Sequence, residues 1–182
     1  MTDTTIIAGN VEAGSRSAFT WSVVIAGALA AWAVAFILIS LGSGIGFAIT
    51  SPYSGPSGTT MGIGGALWLL FSQTCAYAVG GYLAARLRIR DHIPGPETKF
   101  RDAAHGFMAW VVGVGILTVA ILAAAILAPH VAATTGTPPA DTDAARQAAA
   151  YASFWSFMAL LFGAVAATLA GILGGELRDE TK

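Results

Sequence analysis

What this chain has least of is charge. Residues 17–85 contain no Asp, Glu, Lys or Arg, and neither do 103–140 or 147–175. Charged residues make up 10% of the chain, whereas ordinary globular domains carry about 25%. A water-exposed surface needs charge to stay in solution, so uncharged stretches of this length exclude a soluble domain and imply lipid as the solvent. Cysteine is nearly absent too. Cys75 stands alone, which excludes an intramolecular disulfide framework and a cysteine-based metal cluster, and inside an apolar run it acts as a small hydrophobe. Neither sign of charge dominates: the formal net charge of −1 gives no reason to expect nucleic acid or an anionic ligand. The segment 1–16 is polar, holds Asp3 and Glu12, and lacks a basic n-region. The apolar run behind it is too long for a signal-peptide core, so it reads as an uncleaved cytoplasmic tail.

What is present is apolar sequence, 55% of the residues, with a mean hydropathy of +0.70. A spanning helix needs about 20 apolar residues. Four segments qualify, at about Phe19–Leu41, Gly64–Ala85, Ala103–Leu127 and Tyr151–Gly175. The expected fold is therefore an all-α membrane protein with four transmembrane helices. They would form one domain over 17–178, as two tandem hairpins, 17–88 and 101–178, followed by a C-terminal tail at 179–182. Residues 86–101 would make an inner loop, and 50–60 and 128–150 two outer loops. With four crossings, Arg16, Arg86, Arg88, Arg90, Lys99, Arg101, Arg178 and Lys182 fall on one side, and only Arg146 on the other. The positive-inside rule makes the crowded side cytoplasmic. The expectation is a multi-pass protein of the inner membrane with both termini inside.

The outer loops differ in character. Thr50–Thr60 is an uncharged Gly/Pro/Ser turn region. The longer loop carries Pro129, Pro138 and Pro139, then Asp141, Thr142 and Asp143. Asp or Thr there is a good N-cap, so the fourth helix should begin near Thr142 and protrude by roughly two turns.

Two segments match one another. Gly81-Tyr-Leu-Ala-Ala-Arg-Leu-Arg88 resembles Gly171-Ile-Leu-Gly-Gly-Glu-Leu-Arg178, and Arg16-Ser-Ala more weakly resembles Arg101-Asp-Ala. This suggests a duplicated hairpin with both copies in the same orientation, related by an axis along the membrane normal. Small residues recur every four positions: Gly27, Ala31 and Ala35 in the first span; Ser72, Ala76, Gly80 and Ala84 in the second; Gly163, Ala167, Gly171 and Gly175 in the fourth. Ala166, Ala170 and Gly174 form a second row beside the last. Residues four apart share a helix face, and small-xxx-small rows let backbones approach where lipid offers no hydrophobic drive. Two rows on the fourth span suit two neighbours, one in the bundle and one in another copy, so a homo-oligomer is expected.

Few residues stand out as sites. Gly42-Ser43-Gly44-Ile45-Gly46 closes the first span. It either unwinds toward the outer loop or forms an unwound segment lining a cavity, with carbonyls free for a cation. Gln73, mid-way along the second span, either bonds a neighbouring helix or lines a polar path. His105 either bonds a helix end or acts as a proton-responsive gate, with Asp102 or Glu176 as partner. His92 and His130 lie on opposite sides of the membrane, so the three histidines cannot share a metal. No catalytic carboxylate pair, Ser–His–Asp set or Cys–His set can be gathered on one face. No enzyme activity, metal or cofactor is expected.

Several motifs taken in order carry a resemblance. They are Trp21-Ser-Val-Val-Ile-Ala-Gly27, Leu41-Gly-Ser-Gly-Ile-Gly46, Gly62-Ile-Gly-Gly-Ala-Leu-Trp68, Gly80-Gly-Tyr-Leu-Ala-Ala-Arg-Leu87 and His105-Gly-Phe-Met-Ala-Trp110. Across about residues 21–115 the chain resembles a widespread family of bacterial four-span inner-membrane proteins, sometimes labelled PhnA-like, for which no activity is established. The resemblance implies a bacterial inner membrane and brings no catalytic residues. Together these features favour a non-enzymatic scaffold or accessory subunit, whose partners are the lipid bilayer, other copies of itself or other membrane subunits. The alternatives are a small channel using Gly42–Gly46, Gln73 and His105, or a module binding a partner through Ala128–Ala150.

Overall fold

A computed structural model describes residues 19–49, 58–89, 95–135 and 142–180. Arg16, Arg90 and Lys182, named above for topology, lie outside the described residues, as do most of the first outer loop and residues 136–141 of the second. All regular structure among the described residues is helical. The elements are α1 (Trp21–Ile49), α2 (Gly58–Arg86), α3 (Gly95–Thr135) and α4 (Thr142–Glu180). Each is long and apolar enough to cross a membrane. Lipid offers backbone N–H and C=O groups no partner, so a chain of this composition satisfies them within helices.

The helices outrun the apolar windows that announced them. α3 has 41 residues and α4 has 39, so each is about 60 Å long at 1.5 Å per residue, against a hydrocarbon core of about 30 Å. The apolar window marks the hydrocarbon, whereas a helix once nucleated propagates cheaply into the interface. The expected inner loop 86–101 accordingly shrinks, because α3 starts at Gly95 with Pro96 in its first turn, where a missing N–H costs nothing. Part of the expected outer loop 128–150 is helix from both sides. The fourth helix does start at Thr142.

The Gly42–Gly46 run requires a correction. It neither unwinds nor ends the helix; α1 continues through it to Ile49. Each glycine costs about 1 kcal/mol in a helix, but an unpaired backbone group in hydrocarbon costs several, so the helix persists. The Ser43 hydroxyl bonds back to the Ile39 carbonyl at 2.9 Å. A Cβ on Gly42 would collide with the Trp68 indole, whose Nε1 donates to the Leu38 carbonyl at 2.9 Å.

Close backbone contacts set the mutual directions. Gly27 lies against Gly80 and Leu38 against Trp68, so α1 and α2 run in opposite senses. Gly106 lies against Gly171, and Trp110 against Gly163, which makes α3 and α4 antiparallel too. Gly81 lies against Ala167 and Ala85 against Arg178, so α2 and α4 run parallel. α2 and α3 form the centre, and α1 and α4 flank them without touching one another among the described residues. The starts of α1 and α3 thus meet the ends of α2 and α4 at one pole, called here the basic end.

Among the described residues, burial is confined to the half of the bundle nearest that pole. Described residues of α1 are buried only up to Ala31, those of α2 only from Ser72, those of α3 up to Gly113 and those of α4 from Ala159. Beyond these levels α1 and α2 stay joined through the Trp68 indole at Leu38 and Gly42, while α2 and α4 part. A groove of about 620 Å³ opens between Gly62–Leu69 of α2 and Tyr151–Ser156 of α4. The glycines divide along nearly the same line, with Gly42 under Trp68 and the open Gly95 as exceptions. A Cβ on Gly80 would stand 2.6 Å from the Gly27 carbonyl oxygen and 2.8 Å from Ala31 Cβ, whereas one on Gly44, Gly46, Gly62, Gly64, Gly65 or Gly115 would meet nothing within 4 Å. Gly80→Val should therefore destabilise the fold by about 1–3 kcal/mol, the range for overpacking. Gly64→Val should leave the thermal midpoint of the monomeric, detergent-solubilised protein unchanged.

Candidate functional site

At the basic end, α3 carries Asp102 one turn before His105, and its first turns are wedged between α2 and α4. Asp102 is 2% exposed, Arg88 4%, Arg178 7% and His105 1%. Burying a carboxylate is costly without charged partners and hydrogen bonds, and Asp102 has two guanidinium partners. Arg88, just past the end of α2, donates from Nε to Oδ1 at 2.9 Å. Arg178, near the end of α4, donates from Nη1 to Oδ1 at 3.0 Å and from Nη2 to Oδ2 at 3.1 Å. This two-pronged geometry suits a planar guanidinium.

Arg178 does more than pair with Asp102. Its Nη1 also donates to the Ala85 carbonyl at 2.9 Å, which supplies a partner for a group at the carbonyl end of α2. Its other edge pairs with Asp179, Nε to Oδ1 at 2.9 Å. One side chain of α4 thus joins the end of α2 to the start of α3. Glycine makes the approach possible. A Cβ on Gly175 would fall on the Asp102 carboxylate, and one on Gly171 would stand 2.7 Å from the Asp102 carbonyl oxygen and 3.2 Å from Gly106 Cα.

His105 extends the site to α1. The Thr20 N–H, just before that helix, donates to Nε2 at 3.2 Å, and Nδ1 lies 2.7 Å from the Arg101 carbonyl. These partners assign the neutral ring with its proton on Nδ1. Phe19 stacks on the imidazole with centroids 4.4 Å apart. Glu176, considered above as a partner for His105, faces the other way and pairs with Lys99 at 2.8 Å on the exposed surface. Arg101 pairs with Glu97 at 2.8 Å, and Arg86 closes α2.

The other residues singled out in the sequence take separate places. Gly27, Ala31, Gly80 and Ala84 meet at the α1–α2 contact, and Gly81, Gly106, Ala167 and Gly171 at the crossing of α2, α3 and α4. Ala76 is fully buried. Ser72 is fully buried as well, and its Oγ has no hydrogen-bond partner among the described residues. Gly163 sits under Tyr77 and Trp110. Ala35 and Gln73 line a groove beside Tyr77, well away from the ion cluster. No group of three or more His, Cys, Asp or Glu able to hold a metal occurs among the described residues. Compared with known proteins, the chain matches no family model, no curated sequence and no solved structure.

Sequence reading missed the ion cluster, although a signal for it was there. Arg88 continues the row Ser72, Ala76, Gly80, Ala84 by four residues, and Arg178 continues Ala166, Ala170, Gly174 in the same way. Both arginines therefore sit on the small-residue faces that pack inward, not on the outward faces expected of topology-setting charges. Asp102→Asn should lower stability by about 3–5 kcal/mol, because it removes the one carboxylate that two buried guanidinium groups share. Lys99→Met, at an exposed ion pair, should leave the unfolding midpoint in detergent where it was.

Proposed function

We propose that this chain is a non-enzymatic multi-pass protein of the bacterial inner membrane that assembles with copies of itself, or with other membrane subunits, as a scaffold or accessory subunit. Its four helices would be two tandem hairpins derived from a duplication, with the basic end and both termini in the cytoplasm. Support for the orientation comes from the eight basic residues that the four crossings place on one side against Arg146 on the other. Support for the bacterial assignment is the resemblance over residues 21–115.

The observation that carries the assembly reading is the division of the glycines. In the basic half they bring helices of one copy together. In the far half Gly42 admits Trp68, but Gly44, Gly46, Gly62, Gly64, Gly65 and Gly115 face open space, although glycine weakens a helix and contributes in a membrane chiefly by letting another helix approach. A neighbouring subunit would fill that role. The repeat reading draws support from Arg88 and Arg178, which hold corresponding places in the matched segments and reach the same carboxylate.

The channel alternative has one observation in its favour, the groove beside Gln73. Against it, the Gly42–Gly46 backbone keeps its helical conformation and both nitrogens of His105 are bonded. Native mass spectrometry from bilayer discs tests the assembly reading: a defined homo-oligomer or a stoichiometric complex is expected, and a stable lone monomer would sink it. Reconstituted liposomes should show no ion or solute flux above empty vesicles. Flux abolished by Gln73→Leu would overturn the scaffold in favour of the channel.

A further inference from the structure

Where α1 and α3 part above their contact, a groove of about 120 Å³ remains between them, floored by α2. Trp32, Ala35 and Phe36 of α1, Gln73 and Tyr77 of α2, and Leu117 of α3 line it. Its walls are mainly apolar, with the aromatic rings of Trp32, Phe36 and Tyr77 set among aliphatic side chains, and no charged residue contributes. Two polar side chains interrupt them. Tyr77 is 5% exposed, and neither its hydroxyl nor the half-buried Gln73 amide has a hydrogen-bond partner among the described residues. The two lie one turn apart on the same face of α2. Trp32 is fixed differently, its Nε1 donating to the Gly113 carbonyl at 3.2 Å, which presents the indole ring as a rigid wall.

An amide and a phenol without partners at this depth are costly, since hydrocarbon supplies neither donors nor acceptors. Their natural complement is a molecule dissolved in the membrane that brings its own oxygen atoms. The volume narrows the choice: a closed, dry cavity of about 150 Å³ accepts one benzene ring, and this groove of about 120 Å³, open on one side, has room for no more than one six-membered ring. The aromatic wall favours a flat one. Because the groove is open toward lipid, a tail could remain in the bilayer. We propose that this groove binds the head ring of a quinone-class lipid. The Gln73 amide and the Tyr77 hydroxyl would donate to its carbonyl oxygens, and Trp32 would flank the ring. The proposal is independent of the assembly reading, because every residue it uses belongs to one copy.

The test uses the purified full chain in bilayer discs, titrated with a short-tailed alkyl benzoquinone while tryptophan fluorescence is recorded. A saturable quench is expected, and Trp32→Phe should remove it. Each of Gln73→Leu and Tyr77→Phe should raise the apparent Kd about fivefold, the equivalent of one hydrogen bond of the strength measured between membrane helices. A tail-matched alkylbenzene without ring oxygens, used as competitor, should relieve the quench only at concentrations at least tenfold above the quinone's own Kd. That arm needs no variant and so stands even if a substitution disturbs folding. Three results would overturn the proposal: a quench that rises linearly as in simple partitioning, saturation with the same Kd in both polar variants, or equal competition by the alkylbenzene.

Discussion

The structure depends on one buried carboxylate. Asp102 draws Arg88 and Arg178 from two different helices into a site that excludes water, and the guanidinium of Arg178 continues to the Ala85 carbonyl. Such clusters contribute little net stability compared with well-packed apolar side chains, yet removing one member is severe because a charge is left buried alone. What the cluster supplies is therefore register. Three helix ends are held at one level, and His105 adds the start of α1 through Thr20 and Phe19. In lipid, where apolar faces have no preference between tails and one another, a directional polar lock is an effective way to select one arrangement.

Small residues make room for the lock. Gly171, Gly175 and Gly106 let the Asp102 backbone and carboxylate approach α4, and Gly27 and Gly80 do the same between α1 and α2. Away from it burial among the described residues stops at Ala31, Ser72, Gly113 and Ala159, and α1 and α2 stay joined only through Trp68. The result is a bundle closed at one pole and open at the other. That shape leaves glycine-bearing surfaces for a neighbour in the far half and a small apolar groove with two polar side chains at the level where burial ends.

The helix count and the start of the fourth helix at Thr142 could be read from the sequence, because hydrophobic runs and N-cap residues are local signals. The extra turns of α3 before Ala103 and after Leu127 could not, since apolar length reports the membrane and not the helix. The run from Gly42 to Gly46 was misread for a related reason: glycine marks breaks in water, where backbone groups find other partners, but not in lipid. The ion cluster was hidden by its own residues. Arg88 and Arg178 satisfy the positive-inside rule, which explains their placement without reference to contacts, and Asp102 sits among neighbours that pair at the surface. Its burial follows only from the meeting of α2, α3 and α4. The two small-residue rows that lead into the arginines were the one local trace of it.

The central claim, that Asp102 and Arg178 act as a coupled pair locking helix ends, is tested most directly by a double-mutant cycle with Asp102→Leu, Arg178→Leu and the pair, read by reversible unfolding in mixed micelles. The account predicts a coupling of about 2 kcal/mol or more, with the double variant more stable than the sum of the single losses implies. Additive losses would show that the two groups are near one another without being joined.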